Sequence, residues 1–221
     1  MSLLVKICGL STPDTLDAAL DAGADAVGFV FFPSSPRNIS FETARALGER
    51  VRGGARKVAL TVDADETFLG EIISSLKPDM LQLHGSESVD RVEALRDTFG
   101  LPVMKVLPIA VRGDLARIER YAKVADRLLF DAQPPREATR PGGLGKPFDW
   151  QLLENLDLST PFMLAGGVNA DNVAEALRIT RAGGVDVSSG VESAPGVKDP
   201  NKIRAFIRAA RASHVAGTAV G

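Results

Sequence analysis

Ala22-Gly23-Ala24-Asp25-Ala26-Val27 near the start of the chain and Gly183-Gly184-Val185-Asp186-Val187 near its end are two versions of one phrase. In each, a glycine that can close a helix in the left-handed conformation hands the chain to a β-rich run. Lys77-Pro78-Asp79 and Val124-Ala125-Asp126 enter their apolar runs in the same way. Working outward, short runs recur at 3–8, 26–31, 57–62, 80–83, 103–107, 127–131, 162–165 and 185–188. They are rich in Val, Leu and Phe and apolar on both parities, as parallel strands covered on both faces must be. Between them lie segments with helical spacing: Leu16, Ala19, Leu20; Phe68, Leu69, Ile72, Ile73, Leu76; and Ile203, Phe206, Ile207, Ala210. Thr12-Pro13-Asp14 and Asp199-Pro200 place a capping side chain before a proline at the first helical position. Eight strands and about eight helices in 221 residues give a unit of about 28 residues, close to a minimal βα repeat. The pattern predicts a single-domain α/β fold, a closed (β/α)8 TIM barrel spanning 1–221, with 213–221 a flexible C-terminal tail.

Composition excludes several classes. With 26 Lys and Arg against 28 Asp and Glu, the net charge of -2 offers no footprint for nucleic acid or an anionic membrane, and 5% aromatics do not make a base-stacking surface. No apolar run reaches 18 residues, and Lys6 interrupts the N-terminus before a signal-peptide core could form. One cysteine and two histidines build neither a disulfide nor a Cys/His zinc site, so no metal is expected, and the single thiol suits a reducing, cytoplasmic setting.

Two connections are longer than the others. Residues 32–40 follow strand 2, and residues 132–148, with four prolines and three glycines, follow strand 6. Both leave C-terminal strand ends, the face on which barrel active sites are built. Polar side chains gather at that same end. Lys6 and Cys8 share one face of strand 1, Gln82 and His84 one face of strand 4, and Asp186 and Ser188 one face of strand 8, while Asp131 closes strand 6. Such residues on apolar strands need a partner, water or a ligand. A lone intracellular cysteine is ordinarily a small buried hydrophobe, but Cys8 beside Gly9 and on one face with Lys6 is a candidate reactive thiol. Asp131 follows Leu128-Leu129-Phe130, apolar neighbours that would favour a protonated carboxyl able to act as general acid. Arg37, in a rigid loop over the barrel mouth, is a candidate carboxylate clamp, and Trp150 an anchor for the strand 6 loop.

Gly166-Gly167 after strand 7 and Ser188-Ser189-Gly190 after strand 8 carry the most specific signal. Glycines let backbone N–H groups approach phosphate oxygens, a following helix N-terminus adds favourable polarity, and loops 7 and 8 are the usual phosphate pair of a barrel. No Walker-type or dinucleotide fingerprint competes with them.

Taken in order, Lys6-Ile7-Cys8-Gly9, Ser35-Pro36-Arg37, Gln82-Leu83-His84-Gly85, Leu129-Phe130-Asp131, Gly142-Gly143, Phe148-Asp149-Trp150, Ala165-Gly166-Gly167 and Asp186-Val187-Ser188-Ser189-Gly190-Val191-Glu192 resemble the phosphoribosylanthranilate isomerase family of tryptophan biosynthesis, over essentially the whole chain. The resemblance implies a cofactor-free Amadori rearrangement of N-(5-phosphoribosyl)anthranilate to 1-(2-carboxyphenylamino)-1-deoxyribulose 5-phosphate. It makes Asp131 the general acid that opens the ring and Cys8 the general base that removes the C2' proton, with Lys6 a candidate helper toward the thiolate. It gives Arg37 to the anthranilate carboxylate, Gly166, Gly167, Ser188, Ser189 and Gly190 to the phosphate, and Gln82, His84 and Asp186 to the site lining. Leu144 departs from the small hydroxyl residue common in the family after the paired glycines. The partner expected is a small phosphorylated substrate, with no nucleic acid and no membrane, and the chain is expected to be a monomer or a homodimer. A barrel isomerase whose substrate carries two phosphates would need a second glycine-rich loop after strand 3, and Leu60-Thr61-Val62-Asp63-Ala64-Asp65 supplies none. A non-catalytic barrel that only binds a phosphorylated metabolite would not need Cys8 and Asp131 together.

Overall fold

In a computed structural model, residues 2–134, 137, 142–143 and 147–218 are described, with backbone alone from 214 onward. Arg140, Leu144 and Lys146 of the strand 6 loop, and 219–221 of the expected tail, lie outside the described residues. The strands are β1 (Leu4–Cys8), β2 (Ala26–Phe31), β3 (Arg56–Thr61), β4 (Met80–Leu83), β5 (Val103–Ile109), β6 (Arg127–Ala132), β7 (Phe162–Leu164) and β8 (Gly184–Val187). All pair in parallel, each with its sequence neighbours, and β8 returns to β1 to close the barrel.

The repeated junction has a physical meaning in the structure. Asp25, Asp79 and Asp126 stand just before β2, β4 and β6, and each carboxylate accepts a hydrogen bond from the backbone of the preceding strand: Val5 at 2.7 Å, Lys57 at 2.7 Å and Val103 at 2.8 Å. These amides lie at the start of the ladder, where backbone groups lose partners, and the aspartates supply them. The last junction solves the same problem with backbone, the Leu4 amide donating to the Gly183 carbonyl at 3.0 Å. The glycine closing the first helix holds as read, Gly23 having φ +86, but at the last junction the left-handed residue is Arg181, with φ +51.

The helices are α1 (Pro13–Asp21), α2 (Phe41–Arg50), α3 (Glu66–Leu76), α4 (Val89–Phe99), α5 (Ile118–Ala122), α6 (Val173–Thr180) and α7 (Pro200–Thr218). Ser40, Asp65 and Ser88 cap α2, α3 and α4 by accepting the N–H three residues on. Asp199 caps α7 as expected, whereas Thr12 pairs its hydroxyl with Thr15 at 2.7 Å and leaves the α1 backbone uncapped by its side chain. The expected eighth helix is replaced. After β6, among the described residues, a 3-10 turn, Trp150–Leu153, covers the barrel, and Asn155 with φ +62 prevents it from continuing. The segment before β6 is likewise a 3-10 turn, Arg112–Arg117, running into the short α5. α7 carries helical backbone through 213–218.

Inward-facing side chains are at even positions on β1 to β5 and β8 and at odd positions on β6 and β7. Ala26, Val58, Met80, Met104, Val106, Leu129, Met163 and Ala165 fill the apolar part of the barrel. A larger core, including Phe29, Leu81, Phe130 and Phe206, lies between strands and helices. Two short antiparallel strands absent from the sequence reading, β9 (Glu192–Ala194) and β10 (Val197–Lys198), form a hairpin outside the barrel before α7. Among the described residues no helix is long and apolar enough to cross a membrane.

Candidate active site

Above the apolar filling, the same inward parity that holds Met80 and Leu129 in the core holds Lys6, Cys8, Gln82, His84, Asp131 and Asp186 toward the C-terminal mouth. A cavity of about 140 Å³ opens there. Cys8, Arg37, Gln82, His84, Asp131, Gly166, Gly167, Asp186, Ser188, Ser189 and Gly190 all line it, so the residues read as acid, base, substrate-binding and phosphate-binding converge on one place, while Lys6 is not among the lining residues. Trp150 is not among the lining residues and packs against the core, as expected of a loop anchor.

On one side, Cys8 is 3% exposed and shares its surroundings with Lys6, whose ammonium is fully buried and donates to Asp186 at 2.8 Å. Burial pushes the Cys8 thiol pKa up, and the neighbouring Lys6 charge pulls against it, leaving the thiol raised. For Lys6, burial opposes the charge, but the Asp186 carboxylate and Cys8 outweigh it and the ammonium is held more firmly than usual. Across the cavity, His84 Nε2 lies 3.3 Å from Asp131 Oδ2, within ion-pair distance but off hydrogen-bond alignment. Asp131 Oδ1 accepts the Ala132 N–H at 2.8 Å. The apolar surrounding read for this carboxyl from its sequence neighbours is therefore corrected: Leu129 lies below it on the inward face, Phe130 turns outward, and its oxygens meet an imidazole and an amide. Gln82 Oε1 and His84 Nε2 are buried without an aligned protein partner, as atoms reserved for a ligand would be.

The loop after β6 reaches this pair through Gly142. A β-carbon there would stand 2.7 Å from Asp131 Oδ2 and 2.8 Å from the His84 ring, so only glycine lets the loop close over the acid. The neighbouring Gly143 carbonyl accepts from Arg37 Nη2 at 3.3 Å. Arg37 itself is 4% exposed, in a loop folded by Ser35-to-Phe32 and Asn38-to-Ser35 backbone bonds. It does not stand free: Nε and Nη2 are engaged by Glu192 at 2.7 and 2.8 Å, a bidentate pair that fixes the guanidinium plane.

Gly166 has φ +74, and a β-carbon there would collide with the Ala132 nitrogen at 2.4 Å; at Gly190 one would meet the Val168 carbonyl at 2.1 Å. Gly166 thus brings the loop after β7 onto the end of β6, and Gly190 brings the loop after β8 onto the loop after β7. Among the described residues the backbone N–H groups of Gly166, Gly167, Ser189 and Gly190 make no hydrogen bond within the protein. Helix polarity contributes less than expected, because α6 begins only at Val173 and a three-residue 3-10 turn, Ser189–Val191, follows β8. In the loop after β3, Asp63 accepts from the Ser86 backbone and hydroxyl at 2.8 and 3.1 Å.

Sequence reasoning missed four residues around the site. Glu192 and Lys198 form an ion pair at 2.7 Å beside Arg37. Lys105 and Glu87 form another at 2.6 Å, with side chains 2% and 3% exposed. Lys105 points out of the barrel and also donates to the carbonyls of Leu83 and Gly85, which flank His84. Burial lowers its pKa, against the pull of Glu87. A Pro195-Gly196 turn signal could have located the hairpin carrying Glu192 and Lys198. Nothing in the sequence marks the Lys105 pair.

Comparisons with known proteins bear on the family and the fold. A family model described as N-(5'phosphoribosyl)anthranilate (PRA) isomerase matches residues 5–209. The N-(5'-phosphoribosyl)anthranilate isomerase of Bradyrhizobium diazoefficiens is 68% identical over 213 residues, 96% of each chain. The structure of phosphoribosyl anthranilate isomerase from Thermotoga maritima superposes with a TM-score of 0.85 at 34% identity, covering 95% of this chain and 99% of that one. Another phosphoribosyl anthranilate isomerase, solved in complex with reduced 1-(o-carboxyphenylamino)-1-deoxyribulose 5-phosphate, matches with a TM-score of 0.82 at 31% identity, over 95% and 99% of the two chains.

Proposed function

The chain belongs to the N-(5'-phosphoribosyl)anthranilate isomerase family, an enzyme of tryptophan biosynthesis acting on a small phosphorylated substrate, and from that premise we propose that Cys8 and Asp131 are its base and acid. The observation that carries this reading is their placement on opposite sides of one cavity whose rim holds both a fixed guanidinium and unpaired glycine-loop amides.

Substrate phosphate sits at the amides of Gly166, Gly167, Ser189 and Gly190 with the Ser188 side chain, and the anthranilate carboxylate meets the Arg37 guanidinium. Asp131, steadied by His84, delivers a proton to the furanose ring oxygen. The C–O bond breaks and the ring opens to a protonated Schiff base. Cys8, as thiolate, takes the C2' proton and the electron pair forms the enolamine, which tautomerises to the ketone; one proton leaves the acid and one reaches the base, so charge is conserved, and proton exchange with water returns both groups to their starting states. Lys6 supports the thiolate by charge, while Asp186 holds Lys6 in place. Gln82 and His84 face the ribose hydroxyls. A thiol base must stay reduced, which supports a cytoplasmic setting.

The test is turnover of freshly prepared phosphoribosylanthranilate, followed by loss of its fluorescence, in wild type, Cys8→Ser and Asp131→Asn. Each variant should lose about 10²- to 10⁴-fold in kcat, the range for a positioned acid or base. Full activity in both folded variants would remove the two assignments and leave the fold untouched.

A further inference from the structure

We propose that Glu192 and Lys198 are positioning residues that join the Arg37 clamp to the Ser188 end of the phosphate loop, so that one buried ionic unit grips both ends of the substrate. The proposal rests on the roles given above to Arg37 and Ser188.

Glu192 uses both oxygens on Arg37, and Oε1 also accepts from Lys198 Nζ at 2.7 Å. Lys198 spends its remaining protons on the Ser188 carbonyl at 2.9 Å and the Ser188 hydroxyl oxygen at 3.0 Å. An ammonium has three protons and no lone pair, so the Ser188 hydroxyl must accept here, which leaves its own proton to be donated elsewhere. Ser188 lines the cavity, and an anion there is the acceptor that such an oriented hydroxyl fits. Glu192 in turn occupies the Nε–Nη2 edge of Arg37, so the guanidinium cannot rotate, and among the described residues Nη1 makes no hydrogen bond. The two cations and one anion sum to one positive charge, buried between the positions read for a carboxylate and a phosphate.

The hairpin explains how the unit stays in register. β9 delivers Glu192 and β10 delivers Lys198, six residues apart in sequence but paired across the ladder. The turn is pressed on the Arg37 loop: a β-carbon at Gly196 would stand 2.6 Å from the Pro36 carbonyl, and the Gly196 N–H donates to Glu192 Oε2 at 3.3 Å. From below, Lys202 of α7 donates to the Glu192 carbonyl at 2.7 Å. Movement of either end of the substrate site is thereby transmitted through side chains that are each less than one-tenth exposed.

The experiment measures steady-state kinetics and competitive inhibition by inorganic phosphate and by anthranilate separately, in wild type, Lys198→Met, Lys198→Arg, Glu192→Gln and Arg37→Met. Lys198→Met should weaken both inhibitors, phosphate by about tenfold and anthranilate by about threefold, and raise KM with kcat changed less. Glu192→Gln should weaken anthranilate by about tenfold, and Lys198→Arg, which keeps the charge, should recover most of the loss. Phosphate weakened alone in Lys198→Met, both inhibitors unchanged, or a fall in kcat at constant KM would each overturn the coupling. Should Lys198→Met fail to fold by near-ultraviolet circular dichroism, Glu192→Gln decides, and wild-type anthranilate binding in it refutes the proposal. Arg37→Met binding anthranilate as well as wild type would instead refute the clamp reading itself, while an impaired Arg37→Met beside a normal Glu192→Gln refutes only the present inference.

Discussion

Replacing Lys6 by methionine removes the charge that holds the proposed base near its working ionisation. Lys6 is fully buried, and a β-carbon at Gly28 would lie 3.0 Å from its nitrogen and 2.9 Å from the Cys8 sulfur, so the two atoms stand at most about 6 Å apart. At ~5 Å and an effective dielectric of ~20 the ammonium favours the thiolate by ~3 kcal/mol. Asp186, paired to Lys6 at 2.8 Å, opposes part of this in the wild type, but its carboxylate stays in the variant, so the full ~3 kcal/mol, or roughly 2 pH units, is lost. The thiol already sits above its ordinary pKa because it is buried, so kcat/KM of the wild type should climb with pH toward an alkaline limb. In Lys6→Met that limb moves up by roughly 2 units, and kcat/KM below it falls about 100-fold. Methionine leaves Asp186 buried without its cation, so the variant Lys6→Met/Asp186→Asn is measured beside it. Its limb should fall between those of the single variant and wild type, because the carboxylate no longer repels the thiolate. The protein has one cysteine, so the pH dependence of its alkylation by iodoacetamide reports the Cys8 thiolate alone, independently of turnover. Coincident thiolate titrations in the three folded proteins would refute the argument, whatever their rates.

Gly142→Ala should place a methyl group on both Asp131 and His84, lowering kcat by tenfold or more with a smaller change in KM; unaltered kcat would mean that the loop does not close over the acid. Lys105→Met should destabilise the fold by about 3–5 kcal/mol in urea titration, because it leaves the Glu87 carboxylate buried and unpaired. Lys198 loses its proton at about pH 8 in the folded chain, burial outweighing Glu192, against 10.5 as the ordinary value. Between those limits the unfolded chain holds the extra proton, so this group makes stability rise with pH by at most ~1.4 kcal/mol per unit. The difference between wild type and Lys198→Met in urea melts from pH 7.5 to 10 isolates that slope from the opposite one given by the raised Cys8 thiol, and a flat difference would contradict it.

What could be read from the sequence divides along a physical line. Strand runs were legible because parallel barrel strands are buried on both faces, and all eight appear within two residues, the largest difference being the end of β5, which continues through Pro108 to Ile109. Inward polar residues were legible for the same reason, since Lys6, Cys8, Gln82, His84 and Asp131 interrupt runs that should be apolar. The junction aspartates were visible as a repeat, but their role in pairing the neighbouring strand's first amide needs three-dimensional register. Glu192 was quoted within a motif without a role, and Lys198 looked like an ordinary lysine before a helix cap. Glu87, between two serines, reads as a solvated charge until Lys105 is brought against it from the next strand. Pairs of this kind join residues whose separate surroundings in sequence are unremarkable, so no periodicity reveals them.

The placement of these ionic groups argues about their purpose. Three buried assemblies, Lys6 with Asp186, Lys105 with Glu87, and Arg37 with Glu192 and Lys198, all lie at the C-terminal half of the barrel. A buried ion pair adds little net stability compared with apolar side chains of similar volume, and the interior near Val58, Met104 and Met163 shows that this barrel fills space with such side chains where no loop has to be positioned. Each ionic assembly instead fixes a different part of the mouth: the base, the loop around His84, and the rim between clamp and phosphate loop. Consequently, replacing Lys105 and Glu87 together by methionine and leucine should restore most of the stability lost in Lys105→Met without restoring the position of His84 against Asp131. Recovery of folding with kcat still depressed separates positioning from support of the fold, whereas parallel recovery of both would show that the pair merely fills its site.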